Sequence, residues 1–396
     1  MKKILVASTA LVAAGLISAG SASASEKIQL KLGGYSKWWV VGAWGQDDYE
    51  AAVGKGSASA NNVDVKGENE VWFGGSTTLD NGLKVGVDMQ LRTGGTLDTA
   101  ASQTSTGDVI DESYVWIQGG FGKFIVGTEN NGTYLLHVTA PDAAGNWNEA
   151  GIITGNQAIA LPANVVTLPG GNTTAILTDG DAEKITYVAP SFYGLTVGGT
   201  YVPNVGAEDN QYSYGYKGAS SSAATEVYGV GALYNDTLGG VGVKVSAGWV
   251  TYDASGATAN SIEYAFGTQL SYAGFTLGGS YRKVSQNFAG AANSNGTAVT
   301  NSANGYGWDI GLQYATGPYA ISVAYFDSKA DGSQSASGQD EIQAYQVSGK
   351  YTLGAGVDIL ATVGHIEYDD ERAEASGGDA NHNEGWVATT GLSLQF

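Results

Sequence analysis

The chain of 396 residues contains no cysteine, so neither disulfides nor thiolate-bound metal can hold it together. It is short of positive charge: 18 lysines and arginines face 38 aspartates and glutamates, for a net charge of −20. Such a balance repels a phosphate backbone and argues against nucleic acid as a partner. Histidine occurs only as His137, His365 and His382. No His-Glu-x-x-His pair, no Gly-x-Ser-x-Gly elbow and no phosphate loop accompanies them, so no enzyme is expected. After the N-terminus, no stretch reaches the roughly 18 consecutive apolar residues of a membrane-spanning helix. Helical periodicity is nowhere sustained over three turns.

What is present begins with Lys2 and Lys3, an apolar segment from Ile4 to Ile17, and the small-residue site Ala22-Ser23-Ala24. These are the parts of a secretory signal peptide over residues 1–24, and they leave 25–396 as the exported chain. Glycine is abundant at 60 residues, but it shows no three-residue period and is mixed with aromatics. Neither collagen nor a disordered linker is implied.

The dominant signal is alternation with a period of two. It is clearest in two runs flanking Asp80-Asn81-Gly82, an Asn-Gly turn that signals a β-hairpin because both residues tolerate positive φ. Val71, Phe73, Gly75, Thr77 and Leu79 share one face of the first run. Leu83, Val85, Val87, Met89 and Leu91 share one face of the second, against Lys84, Asp88 and Arg92 on the other. Similar runs recur from Ile28–Trp44 to Trp386–Phe396 and make sixteen strands. Their connections alternate between short turns and long loops, and Glu129–Glu183 is the longest. A soluble sandwich has no reason to collect every long loop at one end, whereas an outer-membrane barrel does. Aromatic residues agree. Phe121, Tyr187, Phe192, Tyr234, Tyr272, Phe275, Tyr314, Tyr319, Tyr351 and Phe396 lie beside short turns. Trp44, Tyr201, Trp249, Tyr252, Tyr281, Tyr306, Trp308, Tyr325 and Trp386 lie near long loops. Two interfacial girdles are expected. Unpaired backbone cannot face hydrocarbon, so the first and last strands should pair. A cylinder of sixteen strands is too wide for side chains to fill and leaves a water channel. The expected fold is therefore all-β, a 16-stranded antiparallel transmembrane β-barrel. Its polar lining would include Gln29, Lys31, Lys66, Glu68, Asp88, Arg92, Glu263, Gln269, Arg282, Asp309 and Gln313.

Several segments carry a resemblance. They are Phe73–Leu91 across the hairpin, Asp111–Ile117 leading into Gly119-Gly120-Phe121-Gly122, Ile185–Phe192, and the terminal Gly391-Leu392-Ser393-Leu394-Gln395-Phe396. Together they resemble the general diffusion porins of Gram-negative outer membranes, in their alphaproteobacterial form. The resemblance covers the whole exported chain. It implies a homotrimer whose third long loop folds into the pore, facing a charged wall.

That loop corresponds to Glu129–Glu183, which contains no lysine or arginine. Asp142, Glu149, Glu129, Asp179 and Asp181 are its candidate constriction acids. By alternation, the charged wall would comprise Lys31, Lys37, Lys66, Glu70, Lys84, Asp88, Arg92, Glu112, Lys123, Lys184 and Arg282. The chain has only three arginines. Acidic Glu68, Glu70 and Glu112 stand where the family's arginine-rich version places bases, so a mild cation preference is expected. Expected partners are outer-membrane lipid, lipopolysaccharide and small hydrophilic solutes and ions. No cofactor is expected. Asp47-Asp48-Tyr49-Glu50, Glu367–Glu374 and Asp379 read as solvated loop charge, with Ca²⁺ or Mg²⁺ bridging to lipopolysaccharide as the alternative. The competing functional readings are a substrate-selective porin with a defined solute site, and a non-conducting barrel acting as an adhesin or structural protein.

Overall fold

The structure, a computed structural model, describes residues 27–53, 62–92, 110–145, 147, 158–169, 173–205, 224–253, 257–288, 291–292, 298–299, 304–332, 338–374 and 378–396. The expected export segment, residues 1–24, lies outside them. The strands are β1 (Lys31–Trp44), β2 (Val63–Thr78), β3 (Lys84–Arg92), β4 (Ile110–Gly119), β5 (Gly122–Gly127), β6 (Lys184–Val188), β7 (Leu195–Asn204), β8 (Thr225–Leu238) and β9 (Val241–Asp253). They continue as β10 (Ala257–Tyr272), β11 (Phe275–Phe288), β12 (Ala291–Ala292), β13 (Ala298–Val299), β14 (Gly305–Thr316), β15 (Tyr319–Asp331), β16 (Gln339–Gly354), β17 (Val357–Asp369) and β18 (His382–Gln395). Two short helices, α1 (Asp47–Val53) and α2 (Gly132–Leu135), sit in loops. All strands except the small β12–β13 hairpin form one closed barrel in which every neighbour is antiparallel.

Closure is made by β1 against β18, in register from Tyr35↔Gln395 to Trp44↔Trp386. No sheet edge is left for hydrocarbon to meet. The expected hairpin forms around Asn81 and Gly82. Gly82 alone takes positive φ (83°), while the Asn81 side chain accepts the Leu83 N–H at 3.1 Å. Leu79 N–H donates to Leu83 O at 2.7 Å and closes a three-residue loop with glycine in the left-handed position.

The outer surface is apolar along the middle of the strands. Val115, Val126, Val230, Phe266, Ile310 and Ile321 are each 49–55 % exposed. A belt of this size would drive a soluble protein to aggregate, whereas in a bilayer it meets lipid. Aromatic contacts mark both rims. Phe275–Tyr314 (4.5 Å) and Tyr319–Tyr351 (4.9 Å) lie at the short turns, and Trp308–Tyr325 (5.2 Å) and His365–Trp386 (5.0 Å) lie at the loop end. Tyr252 is a correction to the girdle. It points inward, is 1 % exposed, and donates its hydroxyl to Glu263 at 3.0 Å.

Candidate functional site

The lumen is narrowed by the segment between β5 and β6, which enters the barrel and lies against its inner wall. Its outgoing arm starts at Asn131, whose side chain caps α2 by accepting Tyr134 N–H at 2.9 Å. The arm then crosses the barrel on side chains that β-alternation turns inward. Gly132 N–H donates to Thr200 Oγ1 (2.8 Å) and Val138 N–H to Ser246 Oγ (3.0 Å). Gln269 Nε2 donates to Thr139 O (2.8 Å), and Ala143 N–H donates to Ser322 Oγ (2.9 Å). Close approach requires a missing side chain on β10: a Cβ on Gly267 would stand 1.8 Å from Val138 O.

The far end of the segment is held by apolar packing. Trp147 meets Phe326 edge-on at 6.5 Å, within a buried cluster that includes Trp39, Val41, Ile159, Val165 and Ile366. Trp147 Nε1 and Ala140 N–H both donate to Asp309, at 3.3 Å each.

The returning arm is held by polar side chains. Gln46 accepts Ala160 N–H (3.0 Å), Asn383 Nδ2 donates to Ala160 O (2.7 Å), and Asp340 accepts Val166 N–H (2.6 Å). Arg282 is the largest anchor. Its guanidinium pairs with Glu263 (2.6 and 2.9 Å) and donates to Pro169 O (2.6 Å) and Thr173 O (3.4 Å). Arg282 and Glu263 have no accessible surface. The arm leaves through Lys184, which donates to Gly180 O (2.8 Å) and faces Asp179 at 3.6 Å.

This arrangement sorts the candidate residues. Arg282 and Lys184 face inward as alternation requires, but they are buried beneath the loop rather than lining water. Asp309, Glu263 and Gln269 likewise hold the loop and do not form free lining. Asp179 is buried at 2 % exposure, and Asn131 donates to it. Burial pushes its carboxyl above the ordinary range, against the opposing pull of Lys184. Glu129, also buried, is raised for the same reason. Glu70 and Glu112 are buried at the loop root. Glu112 accepts from Gln90 (2.5 Å) and Asn130 (2.8 Å). Asp142 is half-buried, and Ser322 donates to its carboxylate at 3.0 Å. Asp181 is half-buried within electrostatic reach of Arg92 and Glu112. Glu149 lies outside the described residues.

The loop covers the wall opposite β2–β5 and reaches Trp39 and Val41 on β1, leaving β2–β5 and the turn-side part of β1 facing the lumen. Toward the loop end their bases are paired. Lys37 meets Glu68 at 3.1 Å, Lys66 meets Asp64 at 2.9 Å, and Arg92 meets Asp111. Tyr35 also donates to Glu68 (2.7 Å), and Trp116 donates to Asp88 (2.8 Å). Lys123 sits over the Trp116 ring at 4.9 Å, and Lys31 and Lys84 are exposed at the turn ends of their strands. Among the described residues, no three histidines or carboxylates converge as a metal ligand set.

A sixteen-stranded cylinder with one polar loop seated inside it is a narrowed aqueous passage. A family model described as Gram-negative porin matches residues 7–371. The chain belongs to the Gram-negative porin family. No curated protein sequence matches it. Among solved structures it is similar to an anion-selective porin from Comamonas acidovorans, at 14% identity and TM-score 0.59 over 93% of this chain and 100% of that one. It is similar also to the trimer form of OmpT from Vibrio cholerae (9% identity, TM-score 0.59, 94% and 100% covered). A mutant of the Rh. blastica porin matches at 15% identity and TM-score 0.50, with 93% and 100% covered. At such identities the likeness is one of fold. This porin is a multi-pass β-barrel of the outer membrane and a channel for diffusion.

Proposed function

We propose that this porin passes small hydrophilic solutes and ions passively, that it works as a homotrimer, and that it prefers cations. The observation that carries the sign is the pairing of the wall. At the level of the loop, Lys37, Lys66 and Arg92 are each matched by a carboxylate. Asp142 and Asp181 add negative charge from the loop side. A constriction of one net sign enriches its counter-ion, here the cation. The Comamonas porin is named as anion-selective. That describes its own lining, since a shared barrel does not set the sign of the charges within it. The trimer reading draws on the outward pair Ser36–Asn69 (2.5 Å), a polar contact on the lipid side of β1 and β2 that suits a subunit interface better than hydrocarbon. The test of the sign is the zero-current potential across a planar bilayer with a tenfold KCl gradient. A potential of the sign set by K⁺ is expected. A potential set by Cl⁻ refutes the preference.

A further inference from the structure

The lumen carries its charges in two separate zones. At the short-turn end, Lys31, Lys84, Lys123, Lys244 and Lys350 lie within a few residues of the ends of β1, β3, β5, β9 and β16. Each is on the inward face, because the adjoining Leu32, Val85, Phe124, Val245 and Tyr351 take the outward one. Among the described residues none of the five is in an ion pair with a carboxylate, and the inward acids of that zone are Asp88 and Asp358. The loop-end zone has the opposite balance. Its bases Lys37, Lys66 and Arg92 are paired with Glu68, Asp64 and Asp111, and the half-buried Asp142 and Asp181 add acid.

The two zones are far enough apart to act separately. Lys84 and Arg92 are the two ends of β3, so the strand sets them about 26 Å apart at about 3.3 Å per residue. That is more than twice the Debye length of about 10 Å at 0.1 M salt. Each zone therefore gathers its own counter-ions, cations near the loops and anions near the turns.

We infer that these five lysines form a collar that makes the channel bipolar, so that it rectifies ionic current. A potential positive on the loop side drives cations from the acidic zone and anions from the collar toward each other. Carriers then fill the lumen and conductance rises. The reverse potential draws both away from the middle and depletes it. The inference needs an open channel but is independent of its net ion preference.

The test is single-channel recording in planar bilayers. Orientation is fixed by an Asp80→Cys variant, whose cysteine is the chain's only one, biotinylated and blocked by streptavidin from one side. In 0.1 M KCl, the current with the loop side positive should exceed the reverse current at equal voltage by about 1.5-fold or more. The ratio should approach one in 1 M KCl, where the Debye length shrinks to about 3 Å. It should also approach one in the Lys31→Gln, Lys84→Gln, Lys244→Gln, Lys350→Gln variant. If that variant does not fold, Lys84→Gln and Lys350→Gln made singly should each lower the ratio. A ratio of one in 0.1 M salt, or a ratio unchanged in the variants, overturns the collar. Absence of any conductance overturns the channel itself, and the zero-current potential reports the cation preference separately.

Discussion

Arg282 is the residue whose removal should change the pore most while sparing the barrel. In Arg282→Ala the returning arm loses its bonds at Pro169 O and Thr173 O, and Glu263 is left buried without its counter-charge. Breaking a buried pair from one side costs about 3–5 kcal/mol. The barrel ladder does not depend on this pair, so the cost falls on the seating of the loop. At about 1.4 kcal/mol per power of ten, the ratio of seated to released arm should drop by roughly two to three and a half powers of ten. Single-channel recording should then show a noisier current with frequent transitions, while thermal unfolding of the barrel moves little. The double variant Arg282→Met with Glu263→Gln removes both charges together and should recover most of the quiet state, because a neutral replacement leaves no buried ion. Wild-type noise and wild-type solute cut-off in Arg282→Ala would refute the clamp.

Three further outcomes follow from the same seating. Trp147→Ala opens a cavity beside Phe326 and takes one donor from Asp309, at a cost of about 3–5 kcal/mol, so larger uncharged solutes should pass in liposome-swelling assays. His137 is held down at about 4 by burial, with the charge of Arg282 adding to the effect. The seated loop therefore refuses a proton that the released loop accepts below about 6.5, and seating is weakened as pH falls from there toward 4; channel noise should rise over that window, and His137→Gln should abolish the rise. Gly267→Val places atoms against Val138 O and should displace the outgoing arm, which would appear as altered conductance with unchanged barrel spectra.

Alternation along the chain was enough to locate the barrel, its closure and its two faces. Lys37, Asp88 and Arg92 face the lumen because their neighbours are apolar at every second position. Alternation reports which side a residue faces, however, and does not report what covers it. Arg282, Lys184, Glu263 and Asp309 read as water-lining charges and prove to be anchors for a segment that returns from far along the sequence. The smaller anchors gave no signal at all. Thr200, Ser246, Ser322, Gln46 and Asn383 are ordinary inward polar residues until the loop is laid against them. Tyr252 misled for a related reason: an aromatic ring near a loop suggests a lipid interface, yet this ring faces a buried carboxylate. Asn81 shows the limit at the local scale, where its side chain caps the turn and Gly82 alone takes the left-handed backbone.

The seated loop narrows the channel without plugging it. Single-channel conductance of the purified porin with uncharged polymers of graded size tests this most directly. Stable conducting steps are expected, which small polymers reduce by entering the lumen, with a sharp size beyond which polymers leave the current unchanged. A folded protein in the bilayer that passes no current, or one that admits polymers as wide as an empty sixteen-stranded barrel, would contradict it.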